Sequence, residues 1–371
     1  MKKIILISLV FLVSTFGNIT FAKKIKLVYI PPNQSEAWHV ATRTAGSMFA
    51  EDLGVELIVL DPQNDPAEQV KMARDIAPQV DGAVIIMVTS AARKMAEEFK
   101  KVNPNMPVIC VDRDAPSEFI DLFVAFGNKD AGSLQAERIA KLLKSKFGSA
   151  KGTVQLVTGD LGSTVAQERR DGVLEGLKKY PGIKVVNVVE ATKWSASSAQ
   201  EKMMASLQAH GRPDAILTSF DGGAVGAVNA LKSKGWLKKT GDSDHVFIGV
   251  IDAATIVFKY MREGYVDFTL SQPNLSYVPV GMFYAKLAIE EGLGALPKPG
   301  QRVYEGDVPL GRIGKAHKGI NPWQDAFWAP AKVIDRPAMK HPQFLMKGAV
   351  VTLENVNYPF YWGNVMPIWG N

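Results

Sequence analysis

MPVICVDRDAP (residues 106–116) begins as an apolar, β-branched run and ends in an aspartate, an arginine and a second aspartate. Val108, Ile109 and Val111 do not alternate with polar residues, a pattern typical of a strand buried on both faces in a parallel sheet. Asp112 and Arg113 would then lie at the carboxyl end of this strand, the edge where open α/β sheets bind ligands. A solvated turn that only closes the strand explains the triplet 112–114 equally well.

The first 24 residues, MKKIILISLVFLVSTFGNITFAKK, have a basic start, an apolar run over 4–16 and short side chains at Thr20 and Ala22. This pattern predicts a secretory signal peptide, residues 1–22, cleaved after Ala22. Polar residues and a glycine interrupt the run, so a retained membrane anchor is the less favoured alternative. We therefore expect a periplasmic mature chain that is not inserted into the membrane.

Composition limits the classes of function. Removing residues 1–22, which contain two lysines, lowers the formal net charge from +6 to +4. This charge is small for the length and its lysines are scattered, which argues against a nucleic-acid surface. The length after cleavage favours two domains. The single cysteine, Cys110, lies inside the predicted buried strand, and we interpret it as a core residue and not as a nucleophile.

Short β-branched runs alternate with helical periods from Lys24 onward. The segment Asp65-Pro66-Ala67-Glu68 is typical of a helix start, with an N-cap, a proline in the first turn and a capping-box acid. Strand, helix and strand repeated in this way predict βαβ units and parallel sheets. The ten predicted strands are 25–30, 55–60, 83–88, 107–111, 122–126, 153–158, 183–189, 214–219, 245–250 and 267–272.

Two α/β lobes fit the order of elements better than one sheet. Five strands precede a long amphipathic helix at 128–147, and the turn-rich 148–152 opens a second set of units. No long flexible linker separates the sets, so we expect short, defined crossings between the lobes. Two similar lobes with a cleft between them predict ligand capture by hinge closure.

The segment 321–371 differs from the rest of the chain. Prolines and aromatic residues are dense, helical periodicity is lost, and only 349–353 is typical of a strand. We predict a tail that packs on the body, with a partner surface as the alternative. The aromatic residues predicted to pack are Trp323, Trp328, Phe360, Tyr361, Trp362 and Trp369.

Polar or aromatic residues follow most of the predicted strands. Taken singly, each has an ordinary structural explanation, such as a core ring or a solvated helix face. Together they describe a cleft that suits a polyhydroxylated ligand, because carboxylates and arginines engage neighbouring hydroxyls and rings cover the C–H face of a sugar. Asp221 is interpreted separately, as the N-cap of the following helix. The candidate residues are Trp38, His39, Asp112, Arg113, Gln167, Arg169, Trp194, Phe220, Asp252 and Gln272.

Several segments resemble the ribose- and galactose-type periplasmic binding proteins that serve ABC transporters and share their fold with the ligand domains of LacI-type repressors. The resemblance covers roughly residues 24–314. It implies the type I periplasmic binding protein fold, α/β with two Rossmann-like parallel-sheet lobes and a ligand cleft between them, and no cofactor. The matching segments are VLDPQNDPAEQV (59–70), PVICVDRDAP (107–116), QERRDG (167–172), AILTSFDGGAVGAVNAL (215–231), GVID (249–252) and TLSQP (269–273).

The resemblance also implies roles for individual positions. The family's paired aromatics fall on Trp38 and His39, and its Asp-Arg pair falls on Asp112 and Arg113. Its second-lobe aromatic, its late carboxylate and its hinge-side glutamine fall on Trp194, Asp252 and Gln272.

Two positions depart from the ribose-type pattern. Gln167 stands where a sugar-binding arginine is expected, with Arg169 close by, and Phe220 stands where an asparagine would be. These changes remove a charge and an amide and add a ring, so they alter which sugar the cleft would select.

The order of elements and the resemblance together predict three crossings between the lobes. The first lobe is assigned residues 24–126 and 273–307. The second lobe is assigned 127–272 and 308–320. The tail, 321–371, has no counterpart in the short members of the family.

Enzyme motifs are missing from the sequence. There is no GxSxG, HExxH or Walker loop, and the five histidines and one cysteine show no metal-ligand spacing. The turn at 159–162 lacks the lysine of a phosphate-binding loop. Asp112 and Asp252 could form an acid–base pair, but both are already explained as hydroxyl acceptors. A repressor is excluded because no helix-turn-helix precedes Lys24 and the chain is predicted to be exported.

The expected function is therefore binding without catalysis. We expect a monomeric solute-binding protein that captures a monosaccharide or polyol and delivers it to an ABC transporter permease. The alternative is a periplasmic sensor that presents its closed form to a histidine kinase or chemoreceptor.

Overall fold

The computed structural model describes residues 24–370, so the predicted signal peptide lies outside the described residues. The strands are β1 (Lys26–Ile30), β2 (Glu56–Val59), β3 (Gly82–Ile85), β4 (Val108–Val111), β5 (Leu122–Phe126), β6 (Lys151–Thr158), β7 (Gly182–Glu190), β8 (Ala215–Thr218), β9 (Phe247–Asp252), β10 (Phe268–Ser271), β11 (Arg302–Val303), β12 (Ala331–Ile334), β13 (Gln343–Met346) and β14 (Ala349–Val351). The helices are α1 (Ala37–Leu53), α2 (Pro66–Ile76), α3 (Lys94–Val102), α4 (Asn128–Phe147), α5 (Thr164–Leu177), α6 (Ala196–His210), α7 (Asp221–Ser233), α8 (Thr255–Arg262), α9 (Asn274–Glu291), α10 (Leu310–Ile313) and α11 (Trp362–Trp369).

The strands form two sheets, one in each lobe. The first has the order β11-β12-β13-β5-β4-β3-β1-β2, and the second has the order β14-β10-β9-β8-β6-β7. Pairing is parallel except at β11–β12, β12–β13 and β10–β14. Each of the ten predicted runs overlaps a strand, which confirms the α/β class with two parallel-dominated sheets.

Helices cover both faces of each sheet, which explains the continuous apolar strands. In β1, Leu27 and Tyr29 face the core that holds α1 and α9, while Val28 and Ile30 face the core of α2 and α3. All four residues of β4 are fully buried. In the second lobe, α6, α7 and α8 cover one face, and α4 and α5 cover the other. Burial on both faces is what the absence of alternation predicts.

Capping residues set the start of α2 and the end of α4. The Asp65 carboxylate accepts hydrogen bonds from the backbone N–H groups of Ala67 (2.7 Å) and Glu68 (3.1 Å), and Pro66 occupies the first turn of α2. The helix predicted at 128–147 is α4, which ends at Gly148 in the left-handed region (φ 75°). Glycine adopts this conformation without the steric cost that a Cβ imposes.

The C-terminal segment contains more strand than the sequence predicts. The strand expected at 349–353 is β14, but β12 and β13 were not predicted, and β13 pairs in parallel with β5 across more than 200 residues of sequence. Each has only four residues, and neither AKVI of β12 nor QFLM of β13 is a continuous run of β-branched residues. Of the aromatic residues predicted to pack, Trp323, Trp328, Tyr361, Trp362 and Trp369 are buried and Phe360 is partly buried.

The chain crosses between the sheets at three places: after β5, after β10, and at Lys347–Gly348 between β13 and β14. The third crossing lies far beyond residue 307, where the sequence analysis placed it. Residues 308–320, assigned above to the second lobe, include α10, which packs on α1 and α9 of the first lobe. Trp323 holds this segment there, because its ring contacts Phe49 and its indole N–H donates to the Leu275 carbonyl (2.9 Å).

Candidate functional site

A cavity of about 440 Å³ lies between the carboxyl ends of the two sheets. Both lobes contribute to its wall, through the loops after β1 and β4 and the ends of β9 and β10. Nine of the ten candidate residues line it: Trp38, His39, Asp112, Arg113, Arg169, Trp194, Phe220, Asp252 and Gln272. Gln167 does not.

The first-lobe wall is organised by the end of β4. Asp112 adopts a left-handed backbone (φ 61°), and its N–H still donates to the Val124 carbonyl of β5 (3.0 Å). The Arg113 Nε donates to the Asp112 carboxylate (3.1 Å). Asp112 is 5% exposed, Arg113 8% and Asp114 2%. Burial of this degree excludes the alternative of a solvated turn.

His39 completes this wall as a neutral imidazole. Burial and the nearby Arg113 charge hold the pKa of His39 well below its usual range. Its Nε2 therefore accepts from Arg113 Nη2 (2.8 Å), which places the proton on Nδ1. That Nδ1 and the indole Nε1 atoms of Trp38 and Trp194 are buried without a partner among the described residues. Unpaired buried donors are costly, so a ligand rich in acceptor oxygens suits this cavity.

Arg169 organises the second-lobe wall. It is 2% exposed, which excludes a solvated helix face. Its Nε donates to the Asn128 side-chain oxygen (2.9 Å), and its Nη1 donates to the Ser219 carbonyl (2.6 Å) and to Asp252 Oδ1 (3.1 Å). The guanidinium also lies 5.6 Å from the centre of the Phe126 ring. Four residues from three segments of the chain thus hold this one side chain in place.

Asp252 and Gln272 extend the network to the crossings. The Gln272 side-chain amide donates to Asp252 Oδ1, and the Tyr277 hydroxyl donates to Gln272 Oε1 (2.7 Å). The backbone N–H of Phe126 donates to the same Tyr277 hydroxyl (3.0 Å). Phe126 and Gln272 lie at two of the three crossings, so the cavity wall is bonded directly to the segments on which a hinge would turn.

The aromatic part of the cavity comes from Trp194 and Phe220, which meet edge to face with 5.3 Å between ring centres. The Arg113 guanidinium, from the other lobe, lies 5.3 Å from the centre of the Trp194 ring. Gly159 lies directly under the indole, where a Cβ would overlap the ring atoms. This close approach explains why a glycine is needed at that position.

Asp221 is not the helix cap that the sequence analysis proposed. The helix α7 begins at Asp221 with Phe220 as its N-cap, and no side chain caps it. Instead, Asp221 lines the cavity and its Oδ1 accepts from the backbone N–H of Ala254 (2.9 Å). Burial and the charge of Asp252 raise the pKa of Asp221 well above its usual range. Its place after a predicted strand was the signal that could have identified it.

Gln167 lies outside the cavity. Its side chain is exposed and donates to the Leu161 carbonyl (2.7 Å). Residues 167 and 169 are two positions apart on α5, about 200° around the helix axis, so only one of them can face inward. Burial of Arg169 decides which.

Besides Asp221, two charged lining residues were not among the candidates. Glu36 precedes α1, and burial raises its pKa. Lys193 precedes Trp194 at the exposed rim. Both are close in sequence to predicted site residues, and this proximity was the only sequence feature that could have identified them as lining residues.

Within residues 24–370, no cluster of three or more His, Cys, Asp or Glu side chains has the arrangement of a metal site. Cys110 is buried, its Sγ donates to the Arg113 carbonyl (3.1 Å), and burial raises its pKa well above the usual range. A thiol in this state is a poor nucleophile.

Comparison with known proteins agrees with this geometry. A putative rhizopine-binding protein of Rhizobium meliloti is 29% identical over 227 residues, which are 59% of this chain and 69% of that protein. The ribose import binding protein of Escherichia coli (strain K12) is 26% identical over 73% of this chain and 87% of its own length. The crystal structure of a Caulobacter myo-inositol binding protein superposes with a TM-score of 0.68 at 22% identity, covering 92% of this chain and 97% of that one.

No helix in the described part of the chain is both long and apolar enough to cross a membrane. The family model described as a periplasmic binding protein domain matches residues 27–291. Because this match spans well over half of the sequence, the chain belongs to the periplasmic binding protein family.

Proposed function

We propose that this protein captures a monosaccharide or a polyol in the cavity between its lobes and delivers it to an ABC transporter permease. The observation that carries the proposal is the composition of the cavity wall. Carboxylates, guanidinium groups, an amide and flat rings from both lobes face one space of about 440 Å³, within the range of small-molecule sites. No catalytic role is proposed for these residues, and the relatives reported above are binding proteins.

Each part of the wall has a counterpart in a polyhydroxylated ligand. The Asp112 carboxylate has acceptor positions beyond its bond to Arg113 and can accept from two hydroxyls. The unpartnered donors of His39, Trp38 and Trp194 can donate to hydroxyl oxygens. The rings of Trp194 and Phe220 can cover a C–H face of a sugar.

Closure of the lobes on the ligand is supported by contacts that cross the cleft. Thr164 Oγ1 of the second lobe lies 3.2 Å from Asp114 Oδ1 of the first. Arg336, from the β12–β13 connection, contacts Asp114 (2.6 Å) and Glu168 of the second lobe (3.2 Å). These pairs form only when the lobes are close, so a ligand that contacts both walls favours the closed state.

The first test is a thermal-shift screen of the mature protein against sugars, polyols and other small polar solutes, with D-ribose and myo-inositol included. A stabilising shift from at least one sugar or polyol is expected, because a ligand that binds only the folded state raises the melting temperature. Small-angle scattering should then show compaction with that ligand. No shift from any sugar or polyol, or a shift only from another solute class, would contradict the proposal.

The transport role needs a separate test, since a sensor that signals to a kinase or chemoreceptor would use the same closed surface. Export through the predicted signal peptide serves both roles. Genes for a permease and an ATPase beside this gene would favour transport. A neighbouring kinase gene with no permease would favour sensing.

A further inference from the structure

The turn that carries Asp252 has a strained backbone. Asp252 (φ 110°) and Ala253 (φ 69°) are consecutive residues with positive φ, a region that residues with a Cβ rarely adopt. Such conformations persist only where the surrounding structure holds them. The Asp252 carboxylate lines the cavity, so whatever holds this turn also places that carboxylate.

The N-terminal residues of α11 contact the Asp252 turn at three points. The Trp362 indole N–H donates to the Asp252 carbonyl. The Thr255 hydroxyl donates to the Gly363 carbonyl (2.7 Å). Gly363 lies so close to the Ala253 carbonyl that a Cβ at position 363 would overlap it. The side chain of Trp362 is buried but is not part of the cavity wall.

The far end of α11 is fixed on the first lobe. The Trp369 indole N–H donates to the His317 carbonyl (3.0 Å), and its ring lies 5.8 Å from that of Trp323. Trp323 in turn packs on Phe49 of α1. The helix therefore spans from the Asp252 turn of the second lobe to the core of the first.

We propose that Trp362 is a positioning residue of the ligand site, and that it acts through the main chain of Asp252. Its indole N–H holds the strained turn, and the turn holds the carboxylate against Arg169 and Gln272 at the cavity wall. The inference rests on the proposed function, since it assigns the C-terminal helix a role in affinity for the ligand. On this proposal α11 contributes to the ligand site as well as covering the core.

The first experiment needs no ligand. Trp362→Phe removes the N–H donor, and Trp369→Phe is the matched control, because it removes an indole-to-carbonyl bond at the other end of the same helix. Hydrogen exchange of the full mature protein, followed by mass spectrometry, should show faster exchange across 252–256 in Trp362→Phe only. Both variants should lower the melting temperature. Wild-type exchange across 252–256 in Trp362→Phe, or equal changes in the two variants, would overturn the proposal.

Gly363→Ala provides a second variant if Trp362→Phe does not fold. The added Cβ would push on the Ala253 carbonyl, while alanine itself favours the helix. Faster exchange across 252–256 is again expected. Unchanged exchange there would count against the proposal.

The second experiment measures affinity by calorimetric titration with D-ribose and with myo-inositol. Trp362→Phe should weaken binding at least about tenfold, and Trp369→Phe should leave it near wild type. In an Asp252→Asn background, Trp362→Phe should have much less effect, since residues that act through one another are not additive. Unchanged affinity in Trp362→Phe would overturn the positioning role. If the wild type binds neither probe, the proposed function fails for these ligands, and hydrogen exchange alone decides whether Trp362 holds the turn.

Discussion

The two walls of the cavity are built in different ways. In the first lobe, Asp112 and Arg113 are neighbours in sequence, and the Asp112 carboxylate is bonded to a single side chain. In the second lobe, Arg169 and Asp252 lie 83 residues apart, and Arg169 donates to three different segments. Asp252 Oδ1 already accepts from two side chains. The Asp112 carboxylate therefore keeps free acceptor capacity, while Arg169 and Asp252 Oδ1 are largely occupied by bonds within the protein.

Because of this difference, substitutions at the two sites should affect different quantities, namely ligand affinity at one and folding stability at the other. A group whose partners are all protein side chains is part of the fold, so its removal leaves buried partners unpaired. A group with spare acceptor positions matters most when a ligand occupies them. We therefore expect substitutions of Arg169 to act mainly on folding and substitutions of Asp112 to act mainly on binding.

The largest effect is expected for Arg169→Met. The change removes the charged donor of the buried Asp252 carboxylate, which keeps its bond from Gln272, and it also removes the Arg169 donor of the Ser219 carbonyl. This loss should cost about 3–5 kcal/mol in free energy of unfolding. Urea denaturation measures this loss. Arg170→Met is the control on the next residue, because Arg170 is only partly buried and pairs with Asp171 at the surface, and its loss should be below about 1 kcal/mol. Equal losses of unfolding free energy in the two variants would show that Arg169 stabilises the fold no more than a surface arginine does, which contradicts the proposed difference between the walls.

The next largest effect is expected for Asp112→Ala. Unpairing ligand hydroxyls in a closed cavity should cost about 2–4 kcal/mol of binding free energy, or roughly 30-fold to 1000-fold in affinity. Because Asp112 has a left-handed backbone, alanine also strains the chain, and Asp112→Asn is the cleaner variant since asparagine tolerates this region. Asp112→Asn should weaken binding with little change in melting temperature.

Calorimetry with a ligand from the screen checks the Asp112 variants. Glu118→Ala is the control, since Glu118 forms an exposed ion pair with Lys340 away from the cavity, and its affinity should match the wild type. Wild-type affinity in both folded Asp112 variants would show that the ligand does not bind to Asp112.

A smaller effect, on the pH dependence of stability, is expected for Asp221→Asn. Burial and the charge of Asp252 raise the pKa of Asp221 in the folded state, so the native protein holds this proton at pH values where the unfolded chain has lost it. Stability is therefore lost as pH rises through the folded pKa. Asparagine keeps the acceptor for the Ala254 N–H and removes the charge.

The melting temperature of Asp221→Asn should exceed that of the wild type at pH 7, and the gain should shrink towards pH 4. Asp244→Asn is the control with the opposite sign, because Arg212 lowers the pKa of Asp244. A gain for Asp221→Asn that does not depend on pH would show that charge is not the cause.

The smallest effect is expected for Gln167→Ala. Its side chain is exposed and, among the described residues, hydrogen-bonds only to the Leu161 carbonyl, so both affinity and melting temperature should stay near wild type. Calorimetry alongside the Asp112 variants measures this. A clear loss of affinity would show that Gln167, and not only Arg169, lies on the face of α5 that is turned to the ligand.

Much of this architecture could be predicted from local sequence. Ten strands were recognised because β-branched runs without alternation indicate strands buried on both faces, and nine cavity residues were found because carboxyl ends of parallel strands converge. The third crossing was misplaced because β13 pairs with β5 through contacts distant in sequence. Asp221 was misassigned because its partner, the Ala254 N–H, lies 33 residues away.

The sequence by itself determined the alternation of strands and helices, and so the edge at which ligand-binding residues gather. These features depend on the spacing of apolar residues and on capping groups within a few positions. Tertiary structure alone decided that Arg169 and not Gln167 faces the cavity, and that Trp362 reaches Asp252 across 110 residues. The rotation of a helix and the partner of a distant side chain are set by packing between elements, which no local pattern records.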